Sequence, residues 1–203
     1  TLNVHIEIYD GSSFYKSEEQ IIISPSSQSI SFNVNEIVAD SGFTNITLFK
    51  VIAMSVNGNI PTRVNHQSIY GAKKSNSKLH ASINNTLFNK QLFRPATQTG
   101  LSWGQILIDS NYESSLGICF KNNDSGDIED ISIDFYGQSG LLKSIKRQLM
   151  PSASLIFEND FFSSLGVERD FVWFVIKSER ADIGAQYFHT HRESHNTSGD
   201  HSF

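Results

Sequence analysis

The stretch VHIEI at residues 4–8 alternates apolar and polar side chains, and the turn formers Asp10 and Gly11 follow it. A period of two places the two sets of side chains on opposite faces of a strand, whereas a helix needs apolar residues three and four positions apart. A second extended run begins after the turn. The stretch therefore predicts a β-hairpin near the start of the chain.

Further short β-rich runs recur along the sequence, separated by turn residues. No window carries a sustained helical stripe of apolar residues, and only residues 35–39 and 160–165 fit single helical turns. This spacing is typical of all-β proteins, so we predict antiparallel β-sandwiches. The further predicted strands are residues 29–32, 46–53, 104–108, 116–120, 131–136, 154–157 and 171–176.

Two halves of the chain resemble each other in sequence. Residues 6–11 (IEIYDG) match residues 133–137 (IDFYG), and residues 51–55 (VIAMS) match residues 174–178 (FVIKS). The matches keep their order along the chain, which predicts tandem β-sandwich domains related by internal duplication. The expected segments are a first repeat at residues 1–85, an ordered connection at residues 86–112 and a second repeat at residues 113–203.

The first half lacks a counterpart of the predicted strand at residues 116–120. We expect either that this strand of the first sandwich is missing from the chain, or that residues 104–108 fold back to supply it. An unfilled sheet edge favours pairing with another chain, which makes a homo-oligomer one of the expected assemblies.

The predicted connection is rich in large apolar residues, among them Phe88, Phe93 and Trp103. A flexible linker has no need of so many aromatic rings. We therefore expect an ordered segment packed across the two sandwiches, with Trp103 as its anchor. The alternative is a partner-binding surface on which the three rings are exposed.

The composition excludes several classes of function. The chain has 203 residues, with 16 Lys and Arg against 21 Asp and Glu, and a net charge of -5. A negative chain without a basic patch is not expected to bind nucleic acid or an anionic membrane. No stretch approaches the ~20 apolar residues that cross a bilayer, so we expect no membrane span. The single Cys119 excludes an internal disulfide, and the residues assign no cellular compartment.

A resemblance to a known family rests on three segments. Residues 6–9, the polar strand ending at Pro25 and residues 51–66 (VIAMSVNGNIPTRVNH) are similar to the small sensory-rhodopsin transducer proteins. The resemblance implies a compact β-sandwich and a non-enzymatic role as a soluble partner or ligand-binding module, often oligomeric. The tandem arrangement and the histidine-rich end depart from a single-domain transducer, so a signalling role is not carried over.

Closely spaced histidines occur near the end of the chain. His189 and His191 are two residues apart, so an extended backbone would place both imidazoles on one face as half of a metal site. His195, Asp200 or His201 would add ligands for zinc or another divalent transition metal. The alternative is a polar chain end in which these histidines have a structural or surface role.

One of these histidines also has a counterpart in the first half. Counting forward from the matched serines of the two halves places His66 opposite His189. A repeated histidine is consistent with a structural role in each sandwich. The functional alternative is a ligand-binding cleft between the halves, lined by His66, His189, Arg63 and Tyr70.

The sequence carries no catalytic or nucleotide-binding motif that we recognise. It has neither the Gly-x-Ser-x-Gly elbow of serine hydrolases nor a phosphate-binding glycine loop. We therefore predict a non-catalytic binding or assembly module with an unknown ligand or protein partner and no resident cofactor. Two alternatives stay open: a metal-binding protein or metal-dependent hydrolase that uses the C-terminal histidines, and a subunit of a surface filament or adhesin.

Overall fold

The computed structural model of the chain describes residues 2–11, 13–17, 21–23, 31–55, 65–70, 81–86, 100–122, 127–179 and 182–201. The chain divides into two compact units, residues 1–65 and residues 66–203. The predicted domain boundaries at residues 85 and 112 stay a prediction beside this division.

Unit 1 is built around the strand β1 (Leu2–Tyr9), which contains the decisive alternating stretch. Its apolar positions Val4, Ile6 and Ile8 are buried. The hairpin partner β2 (Phe14–Lys16) and the strand β3 (Ile21–Ile23) pair antiparallel with opposite ends of β1. The predicted hairpin is confirmed.

A short helix and a fourth strand complete the described part of unit 1. The helix α1 (Val34–Ser41) begins where the Asn33 side chain accepts a hydrogen bond from the backbone N–H of Asn35. It ends at Gly42, whose φ of 70° is the left-handed conformation that glycine adopts without strain. The strand β4 (Leu48–Ser55) then pairs antiparallel with the whole length of β1.

The described residues of unit 2 form two four-stranded antiparallel sheets, and a strand pair begins at Asn65, the last residue of unit 1. The pair consists of β5 (Asn65–Tyr70) and β6 (Ala81–Thr86). The strands of the two sheets are β7 (Gly100–Ile108), β8 (Tyr112–Asn122), β9 (Glu129–Gly137), β10 (Gly140–Leu149), β11 (Leu155–Phe157), β12 (Asp170–Ser178), β13 (Asp182–His191) and β14 (Thr197–His201). The β12 sheet has the order β10-β9-β12-β7, and the β13 sheet has the order β11-β8-β13-β14.

The core of unit 2 lies between the inner faces of these two sheets. Phe135 and Phe174 of the β12 sheet, and Leu116 and Ile118 of the β13 sheet, belong to one buried cluster. Phe162, from the short helix α2 (Asn159–Ser163), closes the same cluster. Every second residue of β12 is buried, as expected for a strand with one face in a core. Unit 2 is therefore an antiparallel β-sandwich, which confirms the predicted all-β class.

The two units share an order of elements without sharing a register. In each, a strand pairs both with its hairpin partner and with the strand after a short helix: β1 with β2 and β4, β9 with β10 and β12. However, Ile6 lies opposite Val51, whereas Phe174 lies opposite Phe135 and not opposite Ile133. If the two halves are superposed by their matching sequences, the strand pairing in unit 2 is therefore shifted by two residues relative to that in unit 1. The internal duplication stays a prediction.

Residues 104–108 belong to the sandwich of unit 2. They form part of β7, which pairs along its whole length with β12. The expectation that they fold back to supply a strand of the first sandwich is therefore wrong. The physical reason is that β7 pairs with β12 as the last strand of this sheet and contributes Ile106, which is fully buried, to the core of unit 2. Phe88 and Phe93 of the predicted connection lie outside the described residues.

Candidate functional site

The inner face of the β13 sheet extends beyond the sandwich core, and its side chains change there from apolar to polar. Along β13 the core residues Ile183, Ala185 and Tyr187 are followed on the same face by His189 and His191. Both imidazoles therefore share one face, as the sequence spacing predicts. The site begins where the hydrophobic row ends.

The neighbouring strand β8 supplies the matching residues. Leu116 pairs with Tyr187 inside the core, Ser114 pairs with His189, and Tyr112 pairs with His191. Residues opposite one another in an antiparallel pair lie on the same face of the sheet. The end of the β13 sheet thus carries two layers, a serine with a histidine and a tyrosine with a histidine.

Ser114 fixes the position and hydrogen-bonding role of His189. The Ser114 side chain is 4% exposed, and its hydroxyl donates a hydrogen bond to the carbonyl oxygen of Leu107. Its Oγ lies 3.1 Å from Nδ1 of His189. Because a serine has a single hydroxyl proton, Oγ accepts at this second contact and Nδ1 of His189 donates. The pair therefore cannot act as a nucleophile and its base, since the serine proton points away from the histidine.

Burial keeps His189 in its neutral form at neutral pH. Desolvation of the half-buried ring lowers its pKa below the ordinary value of 6.5. Among the described residues no second partner contacts the ring through a hydrogen bond. In the neutral ring with a proton on Nδ1, the other nitrogen, Nε2, is an acceptor.

The turn between β13 and β14 fixes His191. The backbone N–H and the hydroxyl of Ser194 each lie 3.2 Å from Nδ1 of His191. A backbone N–H can only donate, so Nδ1 accepts and the proton of the neutral ring is on Nε2. The edge of the Tyr112 ring packs against the imidazole, with ring centroids 5.1 Å apart. The turn itself is closed by hydrogen bonds from the His191 N–H to the Asn196 carbonyl and from the His195 N–H to the His191 carbonyl, each 2.8 Å long.

These residues surround a surface depression, which we call the histidine depression. It has a volume of about 290 Å³. Its lining consists of aromatic, hydroxyl and amide side chains without a carboxylate, a lysine or an arginine: Tyr112, His189, His191, Ser194, Asn196, Thr197 and Ser198. The arrangement can offer hydrogen bonds and an aromatic surface to an uncharged ligand.

Two ion pairs involve residues of the β13–β14 turn and of the loop between β7 and β8. Arg192 donates to Glu113 at 2.7 Å, which links the turn to β8. Arg169 lies 3.3 Å from Asp109, whose carboxylate also accepts from the backbone N–H of Asn111. These contacts stabilise the loops beside the site.

The structure brings together only two of the four predicted metal ligands. His189 and His191 line the depression, whereas His195 lies in the turn with a φ of 57°. His201 lies opposite Gln186, and its Nδ1 is 3.1 Å from a carboxylate oxygen of Asp200. In the described part of the chain, no three His, Cys, Asp or Glu side chains are grouped so that they could hold a metal ion.

The hydrogen bonds of His191 also work against a metal ion at this position. A metal bound at Nε2 would require that nitrogen to lose its proton, and the neutral ring would then carry its proton on Nδ1. That proton would point at the N–H of Ser194, which now donates to Nδ1. The histidine pair is therefore better suited to hydrogen bonding than to zinc coordination.

The structure does not describe most side chains of the predicted cleft between the two halves. Arg63 lies outside the described residues, and of His66 and Tyr70 only the backbone in β5 is described. His189 is the one member of that predicted set whose side chain is placed, and it lines the histidine depression. The cleft stays a prediction.

Sequence reasoning missed three residues that shape the site: Tyr112, Ser114 and Asn196. Ser114 is 75 positions from His189 in sequence and meets it only through the pairing of β8 with β13. The available signal was the polar start of an otherwise apolar strand, where Tyr112, Glu113 and Ser114 precede the buried Leu116.

The outer face of the β12 sheet carries a second feature, an exposed aromatic patch. Trp103 of β7 and Trp173 of β12 are 40% and 45% exposed, and their ring centroids are 5.8 Å apart. Phe171 and Leu101 on the same two strands are 46% and 60% exposed. Trp103 thus lies on a sheet surface of unit 2 and is not buried there as an anchor.

Comparisons of the chain with protein-family models, with curated proteins and with solved structures found no match. A search of the described residues for a helix long and apolar enough to span a membrane also found none.

Proposed function

We propose that this chain is a non-catalytic ligand-binding module whose ligand occupies the histidine depression. The observation that carries the proposal is a pair of histidines at the end of the β13 sheet, each held in place by a serine and each with a different hydrogen-bonding role. His189 is oriented by Ser114 and His191 by Ser194, so both rings are held before any ligand arrives. Pre-organised polar groups beside an aromatic ring are typical of ligand-binding sites.

The chemistry of the lining supports binding more than catalysis. A serine is activated by a histidine that a third group, commonly a carboxylate, orients through its second nitrogen; Ser194 Oγ lies 3.2 Å from Nδ1 of His191, but the lining contains no carboxylate. Ser114, the serine closest to a histidine, is buried and directs its proton to the Leu107 carbonyl. The resemblance to sensory-rhodopsin transducer proteins would fit the same non-enzymatic role.

Fragment binding followed by NMR tests the proposal. The purified, untagged chain is titrated with a library of small neutral, anionic and cationic compounds, and chemical shift changes are mapped. We expect changes concentrated at Tyr112, His189 and His191 for at least one class. The variant His189→Ala/His191→Ala should lose them, while His195→Ala/His201→Ala, which changes histidines outside the lining, should keep them.

Two results would contradict the proposal. If no compound of the library shifts the signals of these residues, the proposal of a binding site in the histidine depression is contradicted. About one transition metal ion per chain by plasma mass spectrometry, lost in His189→Ala/His191→Ala, would favour the metal-binding protein or metal-dependent hydrolase instead.

A further inference from the structure

We infer that the histidine depression recognises an uncharged polyhydroxyl compound, such as a sugar ring, through neighbouring hydroxyl groups. The inference rests on the proposed function and names the ligand class for the same site. It is carried by the opposite hydrogen-bonding roles that the protein imposes on its two histidines.

His189 offers an acceptor to the ligand. Its Nδ1 proton is engaged by Ser114, whose own proton is directed to the carbonyl of Leu107. The remaining ring nitrogen, Nε2, therefore carries a lone pair in the neutral form. A ligand group that meets this nitrogen has to donate a proton.

His191 offers a donor. Its Nδ1 accepts from the backbone N–H of Ser194, which has no alternative role because it cannot accept. The neutral ring therefore presents an N–H at Nε2. A ligand group that meets this nitrogen has to accept.

A hydroxyl donates and accepts through a single oxygen atom, so neighbouring hydroxyls can meet the needs of both histidines, whereas an amide divides the two roles between separate atoms. A carboxylate accepts only and would leave the His189 lone pair facing a negative charge, and phosphate would bring the same negative charge to this lone pair. An ammonium group donates only and would face the His191 N–H. Each mismatch leaves a polar group unpaired, which costs more than a missing contact.

The remaining lining fits the same chemistry. Ser194, Thr197 and Ser198 contribute hydroxyl groups, and Asn196 contributes a side-chain amide that both donates and accepts. Tyr112 adds an aromatic ring that can contact the apolar C–H face of a sugar. The lowered pKa of His189, caused by its burial, keeps the acceptor available at neutral pH.

The first test reads the histidine protons without any ligand. Nitrogen-15 NMR of the imidazole rings distinguishes a proton on Nδ1 from one on Nε2. At pH 7.5 we expect His189 with its proton on Nδ1 and His191 with its proton on Nε2. The same proton position in both rings would overturn the inference, while the depression could still bind another class of ligand.

The second test uses methyl α-D-glucopyranoside, methyl α-D-mannopyranoside and D-mannitol as probes, with acetate, phosphate and methylammonium as charged counterparts. We expect at least one neutral probe to shift the His189 and His191 signals, with binding about tenfold weaker or worse in His189→Phe and in His191→Phe. His201→Phe, which changes a histidine outside the lining, should bind as the unmodified chain does.

The outcomes separate the inference from the proposed function. Binding of a charged probe or of another library fragment at the depression, without any neutral polyol, overturns the inference and keeps the binding module. Failure of every probe and fragment to reach these residues overturns both. Should the phenylalanine variants fail to fold, Ser114→Ala serves instead, because it keeps both imidazoles and removes the hydroxyl that orients His189; binding of the neutral probe should weaken in this variant, and unchanged binding would overturn the inference.

Discussion

Ser114 accepts a hydrogen bond from Nδ1 of His189 at 3.1 Å while its own proton goes to the carbonyl of Leu107. One hydroxyl thereby joins β7, β8 and β13 and places the proton of the neutral imidazole on Nδ1, which leaves Nε2 as an acceptor. The same contact is both a structural tie at the end of the sandwich and the determinant of the chemistry of the site.

Replacing Ser114 with alanine should weaken both the tie between the strands and the orientation of the His189 imidazole. The ring nitrogen of His189 and the carbonyl of Leu107 each lose a partner, so we expect the free energy of unfolding to fall by about 1–3 kcal/mol. Urea unfolding measures this change. Ser139→Ala, in the exposed turn between β9 and β10, is the control and should leave the midpoint within experimental error. Equal stability of both variants would contradict the role given to Ser114.

The stability of the chain should depend on the protonation of His189. Its pKa is 6.5 in the unfolded chain and lower in the folded one, because burial disfavours the charged ring. Below pH 6.5 the unfolded state therefore binds more protons, and stability falls as the pH decreases towards the folded pKa. We expect His189→Gln to reduce this slope and His195→Gln to preserve it. Unfolding free energies at pH 7.5 and pH 5.5 give the comparison.

Asp134 should also make stability fall with decreasing pH, but at a lower pH and because its charged form, rather than its neutral form, is stabilised in the folded state. On the outer face of the β12 sheet its carboxylate accepts from Lys177 at 2.7 Å and from Ser144 at 2.6 Å, and these contacts lower its pKa. The stabilisation is present above the unfolded value of 3.8 and is lost as the pH falls through the folded pKa. Asp134→Asn should lower stability at pH 7 and flatten the dependence near pH 3, whereas exposed Asp130→Asn should do neither. Acid unfolding curves check both.

Gly104 should tolerate no side chain. A Cβ there would lie 2.6 Å from the Phe174 ring and 2.8 Å from the Tyr187 ring, both in the core of unit 2. Gly104→Ala should therefore cost about 1–3 kcal/mol through overpacking. Gly117→Ala is the matched strand control, since its nearest neighbouring atom would be 3.9 Å away. Because Tyr187 precedes His189 in the same row, the Gly104 variant should also shift the His189 imidazole signals.

The alternating pattern predicted the strands well, because a strand that buries one face has an apolar residue at every second position of its own sequence. Val4, Ile6 and Ile8 were recognisable as core positions from five residues alone, and all three are buried. The shared face of His189 and His191 followed from the same period of two. In contrast, the partners Ser114 and Tyr112 depend on the register between β8 and β13, which nothing local to either strand determines. The prediction for residues 104–108 failed for the same reason, since strand pairing is a long-range property.

The two tryptophans make the outer face of the β12 sheet observable by fluorescence. Trp103 and Trp173 are the only tryptophans of the chain, and both belong to the exposed patch. We expect Trp103→Phe and Trp173→Phe each to leave one indole that emits as a solvent-exposed group and is readily quenched by acrylamide. The unfolded chain provides the reference for full access. If this face associates with a second copy, the emission should shift to shorter wavelength and quenching should decrease as the protein concentration rises, with sedimentation measured in parallel. A blue-shifted, protected indole at the lowest concentration would contradict the exposure of the patch, because self-association is suppressed there by dilution.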